Sequence, residues 1–244
     1  MCYNISNNNK SEAQLQKVLG PSYPKKLGQL KIQFSASGFT HPEWPVITCD
    51  YPNEFQLLNW GLIPSWTPSL ALSKQFALNN LNCKSETIFD KPSFSDSIKK
   101  QRCLVPVTGF FEWRSLNKNK YPYHIHLKHE EIFCLGGIYD EWVNKPTGEI
   151  KKTFSIVTTE ANPLMAKIHN VKLRMPLILT KDNWQQWLNT NLHESDIKKL
   201  MQPLNEDLMT AYTISKRITS RTENPNSVET LQPFEYPELA LIDS

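Results

Sequence analysis

The chain opens Met1-Cys2-Tyr3, and loss of the methionine would leave a cysteine whose α-amine and thiol are both free. An α-amine titrates near about 7.7 to 8, against roughly 10.4 for a lysine, so a useful fraction is an uncharged nucleophile at neutral pH. Such an amine condenses with an aldehyde to an imine, and the adjacent thiol can then close a five-membered thiazolidine. An internal cysteine cannot do this, because its nitrogen is an amide. The plainer reading of Cys2 is a residue that merely follows the start.

Imine chemistry needs a proton donor and a relay. Glu112 lies within Gly109-Phe110-Phe111-Glu112-Trp113, where apolar surroundings would desolvate its carboxylate and raise its pKa toward that of a working acid. The alternative is a glutamate on the polar face of a strand, turned away from Phe111 and Trp113. His169 stands where a short helix begun by Asn162-Pro163 should end, with Arg174 close by. Most lone histidines are structural, but one between a helix end and a strand could hold a proton near neutral pH.

The elements that must position these groups read as short strands and short helices. Ser11 to Gln14 forms a capping box for a helix carrying Leu15, Val18 and Leu19, stopped by Gly20-Pro21. Leu30, Ile32 and Phe34 alternate as a strand, as do Val46 to Thr48 and Phe55 to Leu57. Asn59 to Trp66 breaks that rhythm as a loop, with Trp60 as a core plug and Trp66 as either a core plug or a stacking platform for a base. Asn79 to Thr87 reads as a polar loop, and Ile98 to Arg102 as a basic helix face exposed to water. Tyr123 to Leu127 alternates, placing His124 and His126 on one strand face; lacking a third ligand, the pair reads as an exposed face rather than a metal site. Ile132 to Tyr139 and Phe154 to Thr158 are strands around a hairpin loop through Gly148, and Leu177 to Leu179 is another. Two last helices carry Trp184, Trp187 and Leu188, then Ile197, Leu200 and Met201. The expected fold is α+β: one domain over 2–225 with a mainly antiparallel, barrel-like β core flanked by short helices, then a polar tail over 226–244.

Composition narrows the classes. With 244 residues, 39% of them hydrophobic, a sizeable core is possible, and no apolar run approaches the roughly 20 residues needed to cross a bilayer. Five widely spaced cysteines without a C-x-x-C pair argue against a disulfide framework or a zinc ribbon. A net charge of +3 is too small to announce nucleic-acid binding by itself, so a DNA site must be a local basic cleft. A cytoplasmic monomer with no leader, membrane contact, metal or cofactor is expected.

Five stretches in order resemble the SRAP family, the SOS-response-associated peptidases: the initial Met-Cys; Trp60-Gly-Leu-Ile-Pro-Ser-Trp66; Asn82, Lys84, Glu86 and Thr87; Arg102 to Pro106 with Gly109 to Trp113; and Ile168-His169 with Arg174-Met175-Pro176. The resemblance implies a sensor that captures abasic sites in single-stranded DNA through a covalent thiazolidine at Cys2, and that removes its own Met1. It also implies roles: Asn82 positions the Cys2 backbone and the adduct, Glu112 helps open the deoxyribose ring, and His169 shuttles protons. Arg174, Lys84 and Lys172 would meet flanking phosphates, with Trp66 stacking near the lesion. The family usually continues Gly-Arg after Met-Cys, where this chain has Tyr3-Asn4, and an arginine is common where Lys84 stands. Two other classes share parts of the pattern: an N-terminal-cysteine amidohydrolase or amidotransferase, and a non-catalytic single-strand-binding module.

Overall fold

A computed structural model describes residues 2–8 and 11–239. In chain order the strands are β1 (Asn4–Asn7), β2 (Gln33–Ser37), β3 (Glu43–Thr48), β4 (Tyr51–Trp60), β5 (Asn82–Lys84), β6 (Arg102–Val107) and β7 (Gly109–Leu116), then β8 (Asn119–Leu127), β9 (Phe133–Asn144), β10 (Glu149–Glu160), β11 (Arg174–Pro176), β12 (Ile178–Leu179) and β13 (Met209–Thr213). The helices are α1 (Glu12–Leu19), α2 (Leu70–Asn79), α3 (Ser95–Lys100), α4 (Pro163–Ile168), α5 (Lys181–Leu188) and α6 (Glu194–Leu200). None of the described helices is long and apolar enough to cross a membrane.

β10 pairs with both β4 and β9, and the path β4–β3–β6–β9 completes the circuit, so five strands close into a barrel. Closure leaves no free edge among them. β5 and β11 add to β10, and β12 to β9. A second sheet, β13-β8-β7-β1-β2, is antiparallel throughout. Among the described strands, only the pairings of β10 with β4 and β5 are parallel. The architecture is therefore the expected α+β, mainly antiparallel barrel with flanking short helices; the strand pattern by itself implied only a mainly β core.

The period of two divides the interior. On β6, Cys103, Val105 and Val107 join the core that holds Cys2, Ile5 and Phe110, while Leu104 faces the core built with Leu15, Trp187 and Ile197. The chain's first strand is no loose end. β1 is an inner strand, with Asn4 opposite Ser37 on β2 and Phe111 on β7, and this tie fixes a segment that would otherwise fray. Ser6 and Thr108 hydroxyls lie 3.2 Å apart beneath it.

Local chemistry explains the helix ends. Ser11 Oγ accepts from Gln14 N at 3.2 Å to start α1, and Gly20 closes it at φ +91°. Asn162 Oδ1 accepts from Met165 N at 2.9 Å to start α4. Gly61, at φ +124°, ends β4 where a Cβ would sit 2.5 Å from the Ala77 carbonyl oxygen.

Four sequence expectations change. Asn82 to Lys84 is not loop but strand, because its backbone pairs in parallel with Ile156 to Thr158 of β10. Arg102 is not part of a solvated face: it is fully buried, donating to the carbonyls of Ile98 and Lys99 at the end of α3 and of Trp187 and Asn189 at the end of α5. His124 is likewise buried, packed against Phe111 and Tyr212, with Nε2 3.4 Å from Ser6 Oγ. Of the run Leu30 to Phe34 only the end enters β2. Beyond residue 225 the polar chain folds back as far as Leu239: Asn226 Oδ1 accepts from Phe34 N, Pro233 bridges Ile214, and Tyr236 donates to the Ile214 carbonyl.

Candidate active site

Cys2 is fully buried, and its carbonyl oxygen accepts a 2.8 Å hydrogen bond from Asn82 Nδ2. The donor arrives on β5, whose register on β10 sets Asn82 opposite Ile156. Asn82 Oδ1 is buried with no partner, an acceptor with unused capacity beside Cys2. Burial pushes the Cys2 thiol well above its ordinary pKa, and the nearby Glu112 carboxylate pushes it further. The thiol is thus held protonated at neutral pH.

Glu112 comes from β7, the strand that pairs with β1, so the strand bearing this carboxyl lies beside the one that follows Cys2. Its side chain is 4% exposed. Burial raises its pKa from 4.5 to about 7; the apolar-environment reading of this glutamate is the one realised. His169 terminates α4, its N–H reaching the Met165 carbonyl at 2.7 Å. The chain then turns through Asn170 to Leu173, the last at φ +53°, and enters β11. That turn brings the Arg174 carbonyl to 2.8 Å from His169 Nδ1. A carbonyl only accepts, so Nδ1 carries the hydrogen and Nε2 keeps its lone pair. Burial first, then the positive charge of the amino terminus and, more weakly, those of Lys172 and Arg174, lower the His169 pKa to about 4, against the raising effect of that hydrogen bond.

Arg174 faces the other way with its side chain. Nη1 meets Glu86 Oε1 at 2.5 Å, and Nη2 donates to the Thr158 carbonyl at 2.6 Å and its hydroxyl at 3.2 Å. Nε is buried without a partner. Lys84 is exposed on β5, opposite the same Thr158. Lys172 lines an open cavity of about 470 Å³ together with Glu112, His169, Trp113 and Tyr3. Trp66 stands apart from that cavity, half exposed and edge-on to Phe76 with ring centroids 5.3 Å apart. The structure thus gathers Cys2, Asn82, Glu112, His169 and Arg174, sets Lys84 and Lys172 at the margins, and leaves Trp66 outside the cavity.

A family model described as SOS response associated peptidase (SRAP) matches residues 1–221. The chain belongs to the SRAP family. The abasic site processing protein YoqW of Bacillus subtilis is 36% identical over 209 residues, covering 81% of this chain and 90% of that protein. The abasic site processing protein HMCES of Xenopus tropicalis is 29% identical over 188 residues, covering 68% of this chain and 54% of that protein. The crystal structure of a protein from Bacteroides thetaiotaomicron superposes with a TM-score of 0.90 at 39% identity, covering 96% of this chain and all of the other.

Three groups of this SRAP site escaped the sequence reading. Thr158, which braces Arg174, is one of many strand threonines and gives no signal. Glu86 stands inside the Asn82 to Thr87 motif, yet nothing there tells that its partner is Arg174. Phe39, on a single turn at Gly38–Thr40, reaches the same cavity through a contact with Tyr3 that only the fold creates.

Proposed function

We propose that this SRAP protein captures abasic sites in single-stranded DNA by a covalent link at Cys2, shielding the lesion. The observation that carries the reading is the meeting of Cys2, held through its carbonyl by Asn82, with a buried carboxyl of pKa about 7 that also acts on the Cys2 thiol. The relatives named abasic site processing proteins support it.

The chemistry follows from the protonation states. With Met1 removed, the free Cys2 amine attacks the C1′ aldehyde of the ring-opened sugar, since the protonated thiol is the weaker first nucleophile. Glu112, about half protonated at neutral pH, supplies a proton for ring opening and for loss of water from the carbinolamine. The thiol then adds across the imine carbon, its proton passing to nitrogen; one water leaves overall and no redox step is needed. His169 Nε2, unprotonated at neutral pH, accepts and returns protons in formation and reversal. Asn82 Oδ1 offers an acceptor for the donors that appear on the adduct. Arg174, Lys84 and Lys172 would grip phosphates, and Trp66 would stack on the strand beyond the cavity. The protein works as a cytoplasmic monomer in this reading, and its peptidase step is removal of its own Met1.

Incubating the purified protein with an abasic single-stranded oligonucleotide and resolving it on a denaturing gel tests the proposal. A shifted, SDS-stable band is expected, absent with intact DNA and with Cys2→Ala. Retention of the shift in Cys2→Ala, or an intact mass that still includes Met1, would sink it.

A further inference from the structure

The cavity beside Glu112 and His169 has an aromatic wall that a base-less sugar does not need. Phe39 is 54% exposed, and its ring lies 4.9 Å from that of Tyr3 at an interplanar angle of 35°. Both line the same cavity as the buried acid and the histidine. A lone exposed phenylalanine is ordinary on a protein surface; one set into the mouth of a reactive cavity, against the residue that follows the nucleophile, is not.

The mount is rigid. Gly38 N donates to the Tyr3 carbonyl at 2.8 Å, joining the turn to the terminal strand. A Cβ at Gly38 would stand 3.1 Å from the Trp60 indole, so the turn lies flat on a buried ring. His41 closes it at φ +49° with Nδ1 2.8 Å from the Trp60 carbonyl. The ring is therefore presented from a fixed backbone, which lowers the ordering cost of anything that stacks on it. At about 470 Å³ the cavity falls in the size range that holds a whole small molecule, and Lys120 and Lys172 border it with positive charge.

We propose that Phe39 and Tyr3 form a stacking subsite for the nucleobase next to the abasic residue. The inference rests on the capture reading above. An abasic sugar offers no π-face of its own, whereas every neighbouring base does, whatever its sequence.

The test crosses protein variants with substrates. Covalent capture is timed at limiting protein on three oligonucleotides: one with bases on both sides of the abasic site, one with a base-less spacer 5′ to it, and one with the spacer 3′. Wild-type capture should fall about five-fold or more with the spacer on one side, the lower end of what one stacked base contributes. Phe39→Ala should lose the same factor on the fully based strand and no longer respond to the spacer, while Phe39→Trp keeps both rate and response. Thermal melting checks that the exposed substitution leaves the fold intact. Equal capture of all three strands by the wild type, or a spacer effect that persists in Phe39→Ala, overturns the subsite alone. Absence of any cross-link on the fully based strand overturns the capture reading and the subsite with it.

Discussion

His169 Nδ1 lies 3.6 Å from Glu112 Oε1, yet the two are not an ion pair at neutral pH. Burial lifts Glu112 to about 7 and depresses His169 to about 4, so between those values both side chains are predominantly neutral. The Nδ1 hydrogen is committed to the Arg174 carbonyl. One low-dielectric site thus keeps an acid with its proton and a base without one, the separation that acid–base catalysis at neutral pH requires.

The pH profile of capture should carry that signature. Attack needs an unprotonated Cys2 amine, whose fraction grows up to about pH 8, and a protonated Glu112, whose fraction falls through about pH 7. The rate of cross-link formation is expected to be bell-shaped, with its maximum between those values. Glu112→Gln should slow it at least about ten-fold and abolish the alkaline decline. A variant that keeps the wild-type rate and profile would remove Glu112 from the chemistry.

The same carboxyl has a stability consequence of definite sign. Folded Glu112 holds its proton up to about pH 7, whereas an unfolded glutamate releases it near 4.5. As pH rises through that window the folded chain binds more protons than the unfolded one, so stability is lost with rising pH. Glu112→Gln, of the same shape and without charge, should match the wild type near pH 4.5 and exceed it by up to about 3 kcal/mol at pH 8. Urea melts at the two pH values measure the difference; a gap that does not widen with pH would contradict the buried, high-pKa carboxyl.

Release of the adduct isolates His169. Removing the ring with His169→Ala deletes both the proton relay and the donor to the Arg174 carbonyl, while His169→Asn keeps an amide N–H able to serve that carbonyl. If the relay matters, both variants reverse the cross-link at least about ten-fold more slowly than wild type. Recovery in His169→Asn would assign the residue to holding β11 instead.

What could be read from the chain and what could not divides along locality. Ser11 capping α1 and Asn162 capping α4 depend on neighbours three residues away, and both were legible. Glu112 was legible as a candidate because its aromatic flanks are adjacent in sequence, although its inward direction had to come from the fold. β5 was not: a three-residue strand has no period to detect, and its pairing partner Ile156 to Thr158 lies on β10, far along the chain. Arg102 and His124 were misjudged as exposed for a similar reason, since the carbonyls, hydroxyl and rings that receive them belong mostly to distant segments. Trp66, open between core and platform, is half exposed and so remains free to stack, but outside the cavity.

Glu86 should act as a brake on indiscriminate binding. Its carboxylate, 42% exposed, holds the outer nitrogen of Arg174, so a phosphate that seeks this guanidinium must displace it. Glu86→Gln removes the competing charge. Affinity for intact single-stranded DNA is then expected to rise a few-fold, and its salt dependence to steepen by roughly 0.7 in log–log slope, the value for one more phosphate contact on a single strand. Fluorescence anisotropy at several salt concentrations reads both. Weaker binding with an unchanged slope would mean that Glu86 merely orients Arg174.

Variants of Asn82 separate hydrogen bonding from charge at Cys2. Asn82→Ala leaves the buried Cys2 carbonyl without its donor, a loss of about 1–3 kcal/mol, and capture should slow as the terminal residue loses its fixed position. Asn82→Asp sets a carboxylate oxygen where the amide nitrogen lies 2.8 Å from that carbonyl oxygen, so two acceptors face each other unless the new side chain is protonated. Asn82→Asp should therefore be slower than Asn82→Ala at pH 8 and draw level with or pass it at pH 5, where protonation restores a donor. Capture rates of the two variants, compared as a ratio at each pH to cancel the titration of Glu112, decide the matter: a ratio independent of pH would show that the contact to Cys2 does not govern the reaction.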